Sequence, residues 1–159
     1  MNHLRKSSLF VIAVLFAALA LSAVTVSAEP ANATVTLSEA QINSSFRVTN
    51  PAYRRLTNVR VDLQPGQASV SATLTVRTPR GQTTTVYQTV STWIPSIVNG
   101  RILWTLSSAT VNGSPASSQM ISQINAAIGA SWRAYWRGQH PGRATTITVD
   151  DNQVVITYN

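Results

Sequence analysis

The residue types that carry out covalent or metal chemistry are scarce in this chain and stand far apart. Beyond the first few positions the only histidine is His140, in the helix-stopping run His140-Pro141-Gly142. The acids are Glu29, Glu39, Asp62, Asp150 and Asp151. Asp150-Asp151 reads as a hairpin turn, where aspartate is favoured by hydrogen bonding to its own backbone. That leaves Glu39 and Asp62 as spare carboxylates for a metal. There is no cysteine, hence no disulfide framework, thiolate nucleophile, cysteine metal site or lipidation cysteine. Glycine-rich phosphate loops and a nucleophile-elbow motif are also missing. Catalysis needs convergent titratable groups, so the expectation is a protein that is not an enzyme and takes no cofactor and no metal.

The side chains that stand out are apolar and aromatic. The stretch Trp93 to Trp104 contains Ile94, Ile97, Val98, Ile102 and Leu103 and turns at Asn99-Gly100, a strong two-residue hairpin signal. Pairing about that turn puts Trp93, Ile97, Ile102, Trp104 and Leu106 on one face. Ile94, Val98, Leu103 and Val111 take the other. One apolar face can pack on a helix. The second then needs its own cover: an N-terminal helix, a partner chain or an apolar ligand. The commonest fate of such residues is a core; the alternative is a ligand pocket or docking face.

Periodicity places the elements that hold these residues. Ser38 and Gln41 form a capping box, and Ile42 and Phe46 follow one turn apart, which predicts a helix from Glu39 to about Val48, ending before Asn50-Pro51. Glu29 to Thr36 reads as a polar lead-in. Val59, Val61 and Leu63 alternate with Arg60 and Asp62, and Ala68 to Val76 alternates likewise after Pro65-Gly66. Folding these runs together pairs Leu63 with Ala68, Val61 with Val70 and Val59 with Ala72. Thr83 to Ile94 and Arg101 to Val111 complete a meander, with turns at Pro79-Arg80-Gly81 and Asn112-Gly113. Ser114 or Ser117 caps a long helix to about Arg137, on which Met120, Ile121, Ile124, Ile128, Trp132 and Tyr135 form an apolar stripe. A last hairpin pairs Ile147 with Ile156 and Val149 with Val154. The predicted fold class is α+β: a curved antiparallel β-sheet of about six strands wrapped around one long amphipathic helix, with a short N-terminal helix.

The N-terminus indicates where the protein works. Arg5 and Lys6 precede an apolar run from Leu9 to Leu21, and Val26-Ser27-Ala28 supplies small residues for a signal peptidase. The expectation is a signal peptide over residues 1–28 and one domain over residues 29–159, secreted or held in the cell envelope. The competing reading, an uncleaved anchor, requires about 20 apolar residues. After cleavage the basic residues would all be arginine, ten against five acids. They are scattered, so solubility alone accounts for them and nucleic acid is not an expected partner. Anionic lipid or an envelope polymer remains compatible with the charge. Asn32, Asn43 and Asn112 match the glycosylation sequon, which has meaning only in a eukaryotic source.

Leu37-Ser-Glu-Ala-Gln-Ile42-Asn43 resembles the opening helix of small secreted bacterial proteins of the tubular lipid-binding (TULIP-like, SMP-like) superfamily. Asn58 to Gly66 with Ala68 to Ala72 resembles their next hairpin, Asn99 to Gly113 one of their strands, and Ile147 to Thr157 their closing hairpin. The resemblance covers most of the domain in order. It implies an apolar, lipid-like ligand between sheet and long helix, lined by Trp93, Ile97, Ile102, Trp104, Leu106, Ile128 and Trp132. Arg133 or Arg137 would stand near a head group. The alternative expectation is an extracellular adhesion or assembly module that binds protein or polysaccharide and has no ligand cavity.

Overall fold

A computed structural model describes residues 32–50, 53–77, 83–138 and 142–159. The signal-peptide reading, the Pro79-Arg80-Gly81 turn and His140 lie outside the described residues. The elements are β1 (Ala33–Ser38), α1 (Glu39–Ser45), β2 (Arg54–Gln64), β3 (Gln67–Arg77), β4 (Thr84–Val98), β5 (Arg101–Val111) and β6 (Ser114–Pro115). A continuous helical rod follows, made of α2 (Ser118–Ile124), a π turn (Asn125–Gly129) and α3 (Ala130–Arg137). The hairpin β7 (Ala144–Asp150) and β8 (Gln153–Tyr158) closes the chain.

The strands form two antiparallel sheets, of order β2-β3-β4-β5-β6 and β1-β8-β7. This corrects the expected single curved sheet of about six strands around the helix. The last hairpin does not extend the meander. It takes β1 as a third strand, with Val35 opposite Ile156 and Leu37 opposite Val154. The supposed polar lead-in is therefore a strand, in which Val35 and Leu37 alternate with threonines in the period that suits a half-buried sheet. Turn backbones join the two sheets: Gly66 N–H donates to Val149 C=O at 2.9 Å and Ala144 N–H to Gly100 C=O at 3.0 Å.

Local turn chemistry sets the hairpins. Asn99 and Gly100 both have positive φ, as do Asn112 and Gly113, the backbone that closes a two-residue hairpin with the right twist. Val98 thus faces Arg101, Ile97 faces Ile102 and Trp93 faces Leu106. Leu63 faces Ala68 and Val61 faces Val70, but a bulge between Thr57 and Arg60, with Asn58 at positive φ, removes Val59 from its predicted partner Ala72. Such a bulge inserts an extra residue and bends the strand.

As the edge of its sheet, β2 would present unpaired backbone groups, an aggregation hazard. Three side chains cover it. Asn50 Oδ1 accepts from Leu56 N–H (2.7 Å), Asn43 Oδ1 accepts from Val61 N–H (2.8 Å) and Glu39 Oε2 accepts from Leu63 N–H (2.9 Å). Asn43 also donates from Nδ2 to Val61 C=O (2.7 Å).

The helix begins at Ser117, whose hydroxyl accepts from Met120 N–H. Ile124, Ile128, Trp132 and Trp136 are all buried, at strict four-residue spacing. An α-helix turns about 40° too far for each four-residue step. The wider π turn takes up part of that drift and keeps the row on the sheet. Ile121, on the predicted stripe, is exposed. Gly129 brings the helix close to the sheet: a Cβ there would meet the Trp93 ring at 3.4 Å and Asn125 Oδ1 at 3.0 Å.

Candidate functional site

The sequence-predicted aromatic residues converge, and they fill the interior. Trp93 is fully buried and its indole Nε1 donates to Ser91 Oγ at 2.9 Å. Ser91 and Thr89, also buried, donate their hydroxyls to Val70 and Ala72 carbonyls, so these inward polar groups are satisfied. Trp104 from β5 stacks on Trp132 from α3, and Trp136 lies nearly parallel to both, 6.4 Å from each. Phe46 also packs against Trp132, ring centroids 4.5 Å apart and planes tilted by 54°. Ile102 and Ile128 are buried in the same cluster, and Ile97 and Leu106 are half-buried against it. The indole N–H groups of Trp104, Trp132 and Trp136 have no protein acceptor. Each such buried donor costs about 1–3 kcal/mol.

Space between sheet and helix exists elsewhere. A cavity of about 340 Å³ lies between the start of β2, the end of β3 and the middle of the rod, lined by Thr49, Asn50, Arg54, Leu56, Leu74, Gln123, Ile124, Ala126, Ala127 and Ala130. Three alanines face it because the π turn and the first turn of α3 present small side chains toward Leu56 and Leu74. Gln123 Oε1 is buried and has no hydrogen-bond partner. Arg54 stands at the rim, exposed. The chamber is thus mostly apolar, with Gln123 in its wall and the Arg54 cation at its edge. That suits a small amphiphilic molecule and lies at the lower end of ligand-site volumes. π turns often occur at functional positions, and this one contributes two of the lining residues.

A second opening, about 840 Å³ and more polar, lies where the β4–β5 hairpin tip meets the end of the helix. Val98, Asn99, Arg101, Ile102, Leu103, Arg133, Trp136 and Arg137 line it. Both predicted head-group arginines are here, with Ile102. Trp93, Ile97, Trp104, Leu106, Ile128 and Trp132 belong to the packed interior described above. Sequence reasoning noted Trp136 as part of the aromatic crowd at the end of the helix but passed over Arg101 in this cleft, and over Leu56, Leu74, Gln123 and the alanines of the cavity. The signal available was the run Ala126-Ala127 with Ala130, small residues on a helix whose neighbours are large.

Among the described residues no group of three His, Cys, Asp or Glu side chains could hold a metal ion. No described helix is long and apolar enough to cross a membrane. Of the sequons, Asn43 spends its amide on Val61, and Asn112 Oδ1 accepts from Gln88 N–H at 2.9 Å. No protein-family model matches the chain, and no curated protein matches it.

Proposed function

We propose that the protein is an extracytoplasmic, non-catalytic binder of a small lipid-like molecule, held in the cavity between β2, β3 and the helix. The observation that carries this reading is the apolar lining of the chamber, Leu56, Leu74, Ile124 and three alanines, with Arg54 at its rim. An apolar chain fits that lining, and Arg54 stands ready for a polar or anionic end. The four-part resemblance to tubular lipid-binding proteins supports the same class of ligand, and the leader pattern of residues 1–28 supports export.

An environment-sensitive apolar probe, displaced by a medium-chain monoacylglycerol, tests the proposal. Saturable binding at micromolar protein is expected, and Ala127→Phe, which fills the chamber, abolishes it while the fold persists. Absence of saturable binding, or binding indifferent to Ala127→Phe, overturns the reading.

The outer face of the five-stranded sheet favours a second reading, an adhesion or assembly module. Val86, Val90, Ile94 and Val98 are exposed in a row along β4, with Leu103 beside them on β5. Native mass spectrometry of protein purified from its own host separates the two: retained lipid supports the first, a lipid-free oligomer the second.

A further inference from the structure

We infer that the tip of the β4–β5 hairpin, together with the end of α3, is a docking surface for an anionic lipid bilayer. This rests on the cleft at the tip and not on the cavity beside β2. Arg101, Arg133 and Arg137 line that cleft. Arg143 packs against the same turn, its Nη2 donating to Asn99 C=O at 3.4 Å and its side chain lying over Gly100. All four are exposed. None of the described acids, Glu39, Asp62, Asp150 and Asp151, lines the cleft.

Arg133 and Arg137 are four residues apart on one helix, a like-charge spacing that is itself unfavourable. Among the described residues no acid side chain stands in this cluster of cations, and an anion from outside the chain would supply the counter-charge. The apolar neighbours select which anion. Val98 and Leu103 border the cleft from the outer face of the hairpin, Val98 beside Arg101, and are exposed, and Ile94 is exposed further along β4. Cations flanking protruding aliphatic side chains match a membrane interface, where phosphates and acyl chains meet. Arginine stems can cover apolar surface while their heads reach the phosphates. A nucleic acid or free phosphate would leave Val98, Leu103 and Ile94 without a role. A second copy docked tip to tip would set arginine against arginine.

The test is sedimentation of the full chain with phosphatidylcholine vesicles containing about 30 % phosphatidylglycerol, against phosphatidylcholine alone. Binding is expected to the anionic vesicles only and to fall steeply in roughly 0.5 M NaCl. The pair Arg133→Glu and Arg137→Glu should weaken it at least about tenfold. Arg47→Glu with Arg60→Glu, exposed positions away from the cleft carrying the same charge change, should leave most of it. Val98→Asp with Leu103→Asp should also weaken binding while the circular dichroism spectrum is kept. Equal losses from both arginine pairs would mean a net-charge effect and overturn the inference. Binding indifferent to salt and to all these changes would trace to the apolar run Leu9 to Leu21 and overturn it too. Retention on DNA with no vesicle binding would show a nucleic-acid surface instead. Ala127→Phe is expected to leave vesicle binding unchanged, so this inference and the cavity reading fail separately.

Discussion

Trp104 of β5 and Trp132 of α3 lie face to face, ring centroids 4.5 Å apart and planes 12° apart. Neither indole is more than 4 % exposed. The pair is therefore the seam between the five-stranded sheet and the helix, and it occupies the place where an enclosed ligand was expected from the sequence.

Trp104→Arg should accordingly unfold the domain, because a guanidinium in that stack has no partner and no water. Trp104→Ala and Trp132→Ala should each cost about 3–5 kcal/mol in denaturant unfolding. The double variant should fall short of the sum, since the rings act on each other. Strict additivity would show that the stack carries no energy of its own.

Gln123→Leu should stabilise the ligand-free protein. It removes a buried acceptor that lacks a partner, a defect of about 1–3 kcal/mol, and places apolar atoms in an apolar chamber. Thermal unfolding checks the direction. A fall in melting temperature would mean that Gln123 is satisfied in solution.

Asn43→Ala should destabilise by about 1–3 kcal/mol, because it strands Val61 N–H and C=O at the β2 edge. Hydrogen exchange at the Val61 amide should quicken more than at Val70, which faces it on β3. Equal exchange at both would show that the edge is held by other contacts.

Burial pushes the phenol of Tyr158 above its ordinary value of 10.0. The unfolded chain therefore loses this proton at lower pH than the folded one. Stability from keeping the phenol neutral is complete below the unfolded value and is lost as pH rises through the folded one. Denaturation midpoints should drop at alkaline pH, and Tyr158→Phe should flatten that drop. An unchanged alkaline slope in the variant would assign it to other groups.

Features encoded by near neighbours were legible in the sequence. The Asn99-Gly100 and Asn112-Gly113 turns, the Ser38–Gln41 capping box, the Ser117 cap and the Val149–Val154 register each depend on residues a few positions apart, where φ preference and short hydrogen bonds dominate. The shared face of Trp93, Ile102 and Trp104 followed from the same period of two. The tertiary structure decided what covers that face. Trp132 and Trp136 arrive from the helix at a phase that the π turn sets, and no four-residue pattern announces a change in helical pitch. It also decided that there are two sheets, because β1 finds β8 from the opposite end of the described chain, and such long-range pairing depends on which edges remain free after the local hairpins have formed. The chamber beside Leu56 and Leu74 arises the same way. Small residues were visible at Ala126, Ala127 and Ala130, but an empty volume is a property of what the neighbouring elements fail to fill.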